Sequence, residues 1–337
     1  MSAAGGVIGA LTLESAQWTL QDVLARWGLS GNLEVIVFGV ILVVMLLKWP
    51  QGLSPAVERF LPKPTLRSRT GDGLARTVLK EDRGEVLLSL EDIGIRFGGL
   101  QALDGIDMEL RRGEFVGLIG PNGAGKTTLF SIISGLQQQT AGRVTLLDEP
   151  LPAGHDIVRR GMARTFQHVQ LIPDLSVIEN VALGAYCRTD AGFIRGLFAL
   201  DGEENRQALA SARAALERVG LAVEADLAAG SLPLGKQRIV EIARALVADP
   251  QILLLDEPAA GLRFSEKLTL VKILRQLQAE HVTILLVEHD MELVMGCVER
   301  LVVLDRGRII AQGSPQEVQA NPAVISAYLG GGRDKAA

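Results

Sequence analysis

Residues 120–128 read Gly-Pro-Asn-Gly-Ala-Gly-Lys-Thr-Thr, and the apolar run Phe115 to Ile119 precedes them. Glycines let the backbone turn with positive φ, so that several N–H groups approach one point, and a following helix adds the positive end of its dipole. Such a loop binds phosphate, its lysine reaches the terminal phosphates and its threonine reaches Mg²⁺. A chain with this segment must bring a strand end, a glycine loop and a helix start together around one anion.

The loop alone does not identify the reaction, because the same cradle serves kinases, GTPases, motor proteins and transport ATPases. We expect Lys126 to contact the terminal phosphates in catalysis and Thr127 to place its hydroxyl on the metal. The predicted nucleotide contacts of the loop are Gly120, Pro121, Asn122, Gly123, Ala124, Gly125, Lys126, Thr127 and Thr128.

Composition narrows the possible partners. The chain has 337 residues, of which 48% are hydrophobic, a high share for a wholly soluble enzyme, so we expect part of it to meet lipid. Lys and Arg number 34 against 39 Asp and Glu, and no basic stripe appears, so nucleic acid is not an expected partner. The two cysteines, Cys187 and Cys297, lie far apart, which indicates neither a disulfide framework nor a zinc site.

The apolar excess is concentrated near the N-terminus, where residues 35–47 carry no polar side chain. With its flanks this segment approaches the roughly 20 residues that span a bilayer. All three tryptophans of the chain lie in this first part, as in the aromatic belts of membrane proteins. We expect a transmembrane helix over about residues 33–49, with a buried hydrophobic helix as the alternative. Basic residues gather after it, which places the rest of the chain in the cytoplasm.

Pattern changes along the chain predict the domain boundaries. Residues 54–84 carry prolines and glycines among many charges without apolar periodicity, which is typical of a linker. From residue 85 to about 331, strands and helices alternate as in a compact α/β domain. Residues 332–337 indicate a frayed tail.

Two further apolar runs end in polar residues that a nucleotide enzyme uses. Residues 252–255 lead to Asp256 and Glu257, and residues 282–287 lead to Glu288 and His289. Continuous apolar strands suit a parallel sheet covered on both faces, and ligands bind beyond the carboxyl ends of such strands. We therefore expect Asp256 to hold Mg²⁺ directly or through water, and Glu257 to act as the general base that polarises the attacking water.

The order of these segments resembles that of the ATP-binding subunit of an ABC transporter, from about residue 85 to residue 330. The resemblance implies that Phe97 stacks on adenine and that Gln167 contacts both the nucleotide and its metal while linking them to the membrane subunit. It also implies that His289 is a catalytic switch histidine. In the family a signature loop binds the ATP held by a partner subunit, and the corresponding segment here is residues 232–237, in which Gly235 keeps the second glycine of the motif.

The signature segment departs from the usual family pattern. Pro233 stands where the family has serine, and Leu234 stands where it has the first glycine. Proline offers neither a hydroxyl nor an N–H. Arg263, in the loop after Asp256-Glu257, stands where the family usually has Asp or Asn.

Several segments resemble one subfamily in particular, the ATPases of branched-chain amino acid importers: residues 164–168, 256–262, 288–291 and 321–330. Residues 1–53 resemble the C-terminal end of the cognate permease, including its Pro-Gln-Gly-Leu at residues 50–53. The implied fold is a P-loop NTPase (RecA-like) α/β domain over residues 85–331, with an antiparallel β subdomain and a helical subdomain at about 168–240, preceded by the transmembrane helix.

The resemblance implies an ATPase that powers import of branched-chain or related hydrophobic amino acids at the bacterial inner membrane, with its ATPase domain on the cytoplasmic side. ATP and Mg²⁺ are its expected cofactors. Its expected partners are transmembrane permease subunits, a second ABC ATPase and, indirectly, an external solute-binding protein. The alternatives are a catalytically weak regulatory partner in a heterodimeric importer, an importer of another small solute such as urea or an amide, and a soluble ABC ATPase of DNA repair or translation.

Overall fold

The computed structural model of the protein describes residues 73–74, 84–152, 154, 156–188 and 202–330. The hydrophobic segment at 33–49, the permease-like stretch at 1–53, most of the predicted linker and the tail at 332–337 lie outside these ranges. Among the helices that are described, none combines the length and the apolar character needed to cross a bilayer.

In the part of the chain that the structure describes, ten strands form two sheets. In chain order they are β1 (Val86–Phe97), β2 (Leu100–Arg111), β3 (Phe115–Ile119), β4 (Ala141–Leu146), β5 (Glu149–Pro150), β6 (Met162–Arg164), β7 (Ile252–Asp256), β8 (Thr283–Val287), β9 (Arg300–Asp305) and β10 (Arg308–Gly313). The larger sheet has the order β10-β9-β3-β8-β7-β6, parallel throughout except for β10. The smaller sheet is antiparallel, with the order β2-β1-β4-β5.

The helices are α1 (Lys126–Ile133), α2 (Asp156–Arg159), α3 (Val177–Ala182), α4 (Gly202–Arg218), α5 (Leu234–Val247), α6 (Phe264–Ala279), α7 (Met291–Cys297), α8 (Pro315–Ala320) and α9 (Pro322–Gly330). Short 3₁₀ turns cover Leu183–Arg188, Ala222–Glu224 and Ala229–Ser231. In the described residues between β6 and β7, all named elements are helices or 3₁₀ turns.

Strands β3, β7 and β8 are buried at every position, which explains why they are apolar without alternation. Side chains of one strand point alternately to the two faces. In β3, Phe115 and Ile119 join the core cluster that contains α5 and α6, whereas Val116 and Leu118 join the cluster that contains α1 and the antiparallel sheet. Each such buried side chain contributes about 1.5–3 kcal/mol, so both layers hold the central sheet in place.

The end of the chain follows its local sequence signals. Strands β9 and β10 form a hairpin, and its turn places both Arg306 (φ 46°) and Gly307 (φ 77°) in the left-handed region. That pair of conformations matches the twist of a tight hairpin. Helix α8 begins with a capping box, in which Ser314 and Glu317 bond reciprocally to each other's backbone N–H. This hairpin and α9 both lie beside the phosphate loop.

Candidate functional site

The phosphate loop connects β3 to α1, as the sequence predicts. Gly120 passes so close to the Leu304 carbonyl that any Cβ there would overlap the backbone oxygen. Gly125 caps α1 with φ 102°, and a Cβ would approach the Leu103 side chain to 2.7 Å. The turn of the β9–β10 hairpin supports the loop from outside, since the Gly307 N–H donates to the Ala124 carbonyl at 2.9 Å. The loop therefore lies at the carboxyl end of β3, in the middle of the sheet, and its N–H groups lie at the start of α1.

Lys126 lies inside this loop and is almost fully buried. Its Nζ donates to the carbonyl oxygens of Gly120 (2.7 Å) and Pro121 (3.0 Å). Burial lowers the pKa of Lys126, and the negative charge of Glu257 partly offsets this by raising it. The ammonium group is therefore satisfied by neutral carbonyls, and phosphate oxygens would give it a charged partner in their place.

A cavity of about 540 Å³ lies over the loop. Its wall includes Phe97, which is 48% exposed at the end of β1, and Glu257, which follows β7. The loop residues on the wall run from Asn122 to Thr128. A half-exposed aromatic ring, a row of loop N–H groups and a carboxylate are thus brought to one space of the size that small-molecule sites have.

Asp256 is the last residue of β7, and Glu257 follows it. The two side chains lie in different surroundings. Asp256 is buried, and its Oδ2 accepts from Arg164 Nη2 at 3.0 Å. Burial raises the pKa of Asp256, and the guanidinium group acts against that by lowering it. Glu257 instead enters the cavity, at a left-handed φ of 47° that non-glycine residues rarely adopt. Backbone strain of this kind is concentrated at functional sites, and the Glu257 N–H bond to Val287 O (2.9 Å) holds it here.

Gln167 and His289 both approach the Glu257 carboxylate. Gln167 Nε2 donates to Glu257 Oε2 at 3.1 Å, and His289 Nδ1 lies 3.7 Å from the same oxygen. The His289 side chain is 62% exposed, and it approaches the cavity through the Glu257 carboxylate without lining the wall itself. The preceding Glu288 is buried and accepts from the backbone N–H of Ala259 (2.8 Å) and His289 (3.2 Å). Through these hydrogen bonds Glu288 connects the end of β8 to the turn that follows Glu257.

Gly235 does not line this cavity. It lies in the first turn of α5, and a Cβ there would come within 2.5 Å of Glu266 Oε1. Leu234 beside it is 44% exposed and lies near Gly261, a residue of the loop after Glu257. In the signature segment Pro233, Leu234 and Lys236 are exposed whereas Gly235 is buried, and none of them lines the cavity over the phosphate loop of its own chain.

Two arginines belong to the site although sequence reasoning gave neither of them a role. Arg306, at the turn of the β9–β10 hairpin, lines the cavity over the phosphate loop, and Arg164 contacts Asp256. The only sequence signal for Arg306 is its position in a turn after a strand, which does not reveal where the turn lies. Arg164 is 92 residues from Asp256 along the chain, so their contact follows from the pairing of β6 with β7.

A second cavity, which we call the α5 groove, opens beside Gln167. It measures about 700 Å³ and lies between α5 and the turn at Leu183–Arg188. Its walls carry apolar side chains that are well exposed, among them Tyr186 (75%) and Phe166 (44%). Charged groups lie deeper, where buried Glu241 is paired with Arg244 at 3.3 Å. An apolar concave surface with a charged interior is typical of a protein-binding site.

A mostly parallel sheet with a phosphate loop after β3, an acidic pair at the end of β7 and a separate antiparallel sheet defines an ATP-binding cassette of the P-loop class. Comparison with known proteins agrees with this class. Residues 103–260 match the ABC transporter family, and residues 308–334 match a family described as branched-chain amino acid ATP-binding cassette transporter.

Two curated relatives and two solved structures show the extent of the similarity. The chain is 46% identical over 250 residues to the high-affinity branched-chain amino acid transport ATP-binding protein LivG of Salmonella typhimurium, covering 72% of this chain and 98% of the relative. It is 41% identical over 249 residues to BraF of Pseudomonas aeruginosa, a protein of the same description, with the same two coverages. The chain therefore belongs to the ABC transporter family, as an ATP-binding subunit of the LivG/BraF type.

The solved structures support the same fold. One is the ADP conformation of an ATP-binding cassette of an ABC transporter, at 31% identity and a TM-score of 0.65, covering 73% of this chain and 99% of the other. Another is a dimeric bacterial ABC transporter cassette, at 28% identity and a TM-score of 0.58, covering 68% and 99%. The predicted P-loop ATPase fold is thus confirmed, and ATP-binding subunits of this family are ATPases.

Proposed function

We propose that the chain hydrolyses ATP to power import of branched-chain or related hydrophobic amino acids through a bacterial inner-membrane transporter, with its ATPase domain on the cytoplasmic side. The solute rests on the described role of LivG and BraF. The observation that carries the hydrolytic part is the Glu257 carboxylate, which enters the nucleotide cavity and is held there by Gln167 at 3.1 Å.

In the proposed reaction, Phe97 stacks on the adenine and the N–H groups of residues 122–128 bind the phosphates. Lys126 transfers its donors from the Gly120 and Pro121 carbonyls to the terminal phosphates. Glu257 orients a water molecule for in-line attack and accepts its proton, while His289 stabilises the charge that develops on the γ-phosphate. The bond that breaks joins the γ-phosphorus to the bridging oxygen, and ADP leaves.

Mg²⁺ fits the donors at the carboxyl end of β7. Thr127, Asp256 and Gln167 offer hydroxyl, carboxylate and amide oxygens, the hard ligands that Mg²⁺ takes together with substrate phosphates. The part of the chain that the structure describes contains no group of three His, Cys, Asp or Glu side chains that could hold a metal alone, in keeping with a site that needs phosphate ligands. When bound, the ion would neutralise charge on the terminal phosphates.

We assign two partners to two surfaces. A second cassette is expected to place its signature loop, the counterpart of the loop at Gly235, on the ATP held at Lys126, since Gly235 lies outside the cavity of its own chain. A short cytoplasmic segment of a permease subunit is expected in the α5 groove, whose exposed Tyr186 and Phe166 offer apolar contacts next to Gln167. An external solute-binding protein completes the expected assembly. We keep the similarity of residues 1–53 to a permease end as a hypothesis.

A catalytically weak, nucleotide-binding partner is the second candidate function. Pro233 and Leu234 replace two residues that the family uses on the facing nucleotide, and Arg263 changes the companion loop. In that case this chain would bind ATP at its own loop while contributing a poor signature to its partner.

The test is reconstitution of the full-length chain in proteoliposomes with permease subunits, a second ATPase and a solute-binding protein from the same transport system. We expect ATP-dependent uptake of labelled leucine that is lost with Lys126→Ala. Uptake of urea or an amide instead of leucine would correct the solute. Uptake that survives Lys126→Ala while the partner ATPase carries the turnover would favour the second candidate.

A further inference from the structure

Arg164, at the end of β6, contacts both the α5 groove and the acidic end of β7. Its side chain lines the groove. Nη2 donates to Asp256 Oδ2 at 3.0 Å, and Nη1 donates to Ser134 Oγ at 2.7 Å. One guanidinium group thus joins the carboxylate that we assign to Mg²⁺ to the C-terminal end of α1, the helix that carries the phosphate loop.

The guanidinium group is also fixed between two aromatic rings. Its carbon lies 4.7 Å from the ring centroid of Phe130 and 5.3 Å from that of Phe166. The side chains of Arg164 and Asp256 are only 16% and 9% exposed. A lysine at this position would have one point charge for two acceptors and no plane to stack on the rings. This arrangement sets the position and rotation of the Asp256 carboxylate.

Residues 164–167 make a continuous connection from the groove to both carboxylates. Phe166 lines the groove and touches the Arg164 guanidinium group, and its carbonyl accepts from Arg238 at 3.1 Å. Arg164 bonds to Asp256, and Gln167 bonds to Glu257. A partner that displaces Phe166 would therefore act on Arg164 directly.

We propose that Arg164 is a positioning residue that fixes the Asp256 carboxylate and makes its position depend on what occupies the α5 groove. The occupant rests on the function proposed above, namely a permease segment. The fixing of Asp256 does not, because it stands on contacts within this chain. With Oδ2 bonded to Arg164, Oδ1 is the Asp256 oxygen that would hold the metal or its water.

The first test measures ATP binding and Mg²⁺ dependence of the full-length chain, by fluorescence titration with a labelled ATP. For Arg164→Met we expect metal-free ATP affinity within about twofold of wild type. The Mg²⁺ concentration that half-saturates binding should rise about tenfold or more, the usual effect of removing a group that orients a metal ligand. For Arg164→Lys we expect a half-saturating Mg²⁺ concentration between those of wild type and Arg164→Met. An Arg164→Met variant with the same Mg²⁺ dependence as wild type would overturn the proposal.

Two further variants separate positioning from folding. Ser134→Ala removes the acceptor of Nη1 together with the hydroxyl's own bonds to the Phe130 and Ser131 carbonyls, and it leaves the Arg164–Asp256 pair intact. We expect a rise in half-saturating Mg²⁺ of about threefold, the value of one ordinary hydrogen bond. It serves as the test if Arg164→Met does not fold. Arg300→Met is the matched control, because it removes a part-buried Arg–Glu114 pair at the opposite end of the same sheet. It should lower stability without changing Mg²⁺ dependence, and an equal shift in this control would refute the positioning role.

The second test measures the stimulation of hydrolysis by permease subunits at saturating Mg²⁺. We expect wild type to be stimulated and Arg164→Met to lose at least four-fifths of the stimulation, while permease binding persists in a pull-down. Full stimulation of Arg164→Met would overturn the dependence on groove occupancy. If wild type itself neither binds nor responds to permease subunits, the proposed function fails, yet the Mg²⁺ titration still decides whether Arg164 positions Asp256.

Discussion

Replacement of Glu257 by Gln is the sharpest test of the catalytic assignment. The amide keeps the shape of the side chain and leaves the backbone at φ 47° unchanged, and its oxygen can still accept from Gln167. What is lost is the ability to take a proton from water. A positioned base contributes about 10²–10⁴ in rate, so we expect hydrolysis to fall about 10³-fold, or about 4 kcal/mol of barrier.

We expect the affinity of Glu257→Gln for ATP to equal or exceed that of wild type. Glu257 places a negative charge in the cavity that receives the phosphates, and its side chain is 24% exposed, so solvent screens part of that charge. Removing it should therefore not weaken ATP affinity. Phosphate release and equilibrium ATP binding are measured on the same preparation of the full-length chain in its transporter complex. Turnover within tenfold of wild type, or a parallel loss of binding, would refute the assignment. Glu292→Gln, an exposed carboxylate on α7, is the control and should leave both quantities unchanged.

Three other outcomes are expected. Gly235→Ala would push its new Cβ against Glu266, displacing a side chain that caps α6; we expect a melting temperature about 2–4 °C lower by calorimetry, and an unchanged value would show that Glu266 moves freely. Tyr328→Phe removes the hydroxyl that hydrogen-bonds the Gly120 backbone; we expect nucleotide binding to weaken about threefold in a fluorescence titration with melting unchanged, whereas unaltered affinity would separate α9 from the loop. Burial raises the pKa of Cys297 to about 12, so the neutral thiol persists at pH 8; iodoacetamide should leave it unmodified by mass spectrometry until the chain is unfolded, and rapid native labelling would contradict its burial.

The parts of the site that sequence predicts are those in which local chemistry leaves few choices. The run from Phe115 through Lys126 specifies strand, turn and helix start within 12 residues, and the structure has all three. Asp256 and His289 follow apolar strands, and the parallel pairing of β7 with β8 brings their strand ends together. The roles that we assign to these side chains stay predictions.

The parts that sequence does not predict depend on long-range contacts. Arg164 becomes part of the site only because β6 lies at the sheet edge next to β7, and Arg306 only because the β9–β10 turn folds over the phosphate loop. Neither arginine lies in a local sequence pattern that predicts its place in the site. Glu288 is similar, since it accepts the backbone N–H of Ala259, in a turn 29 residues away along the chain.

The altered residues of the signature segment, Pro233 and Leu234, are compatible with the start of α5. Their departure from the family pattern therefore does not prevent this helix from forming. Pro233 is the N-cap of α5 at φ −58°, a value that the proline ring prefers, and its carbonyl accepts the Gln237 N–H at 3.0 Å. The N–H that proline lacks is one that no intrahelical bond uses at this position. Proline therefore fits the start of α5, and the helix forgoes only the side-chain cap that a serine hydroxyl could supply there. Since Leu234 is also half-exposed, we expect the effect of both residues on the nucleotide of a partner and not on Lys126 of this chain. A heterodimer in which this chain binds ATP well and contributes a weak signature is thus compatible with an intact phosphate loop.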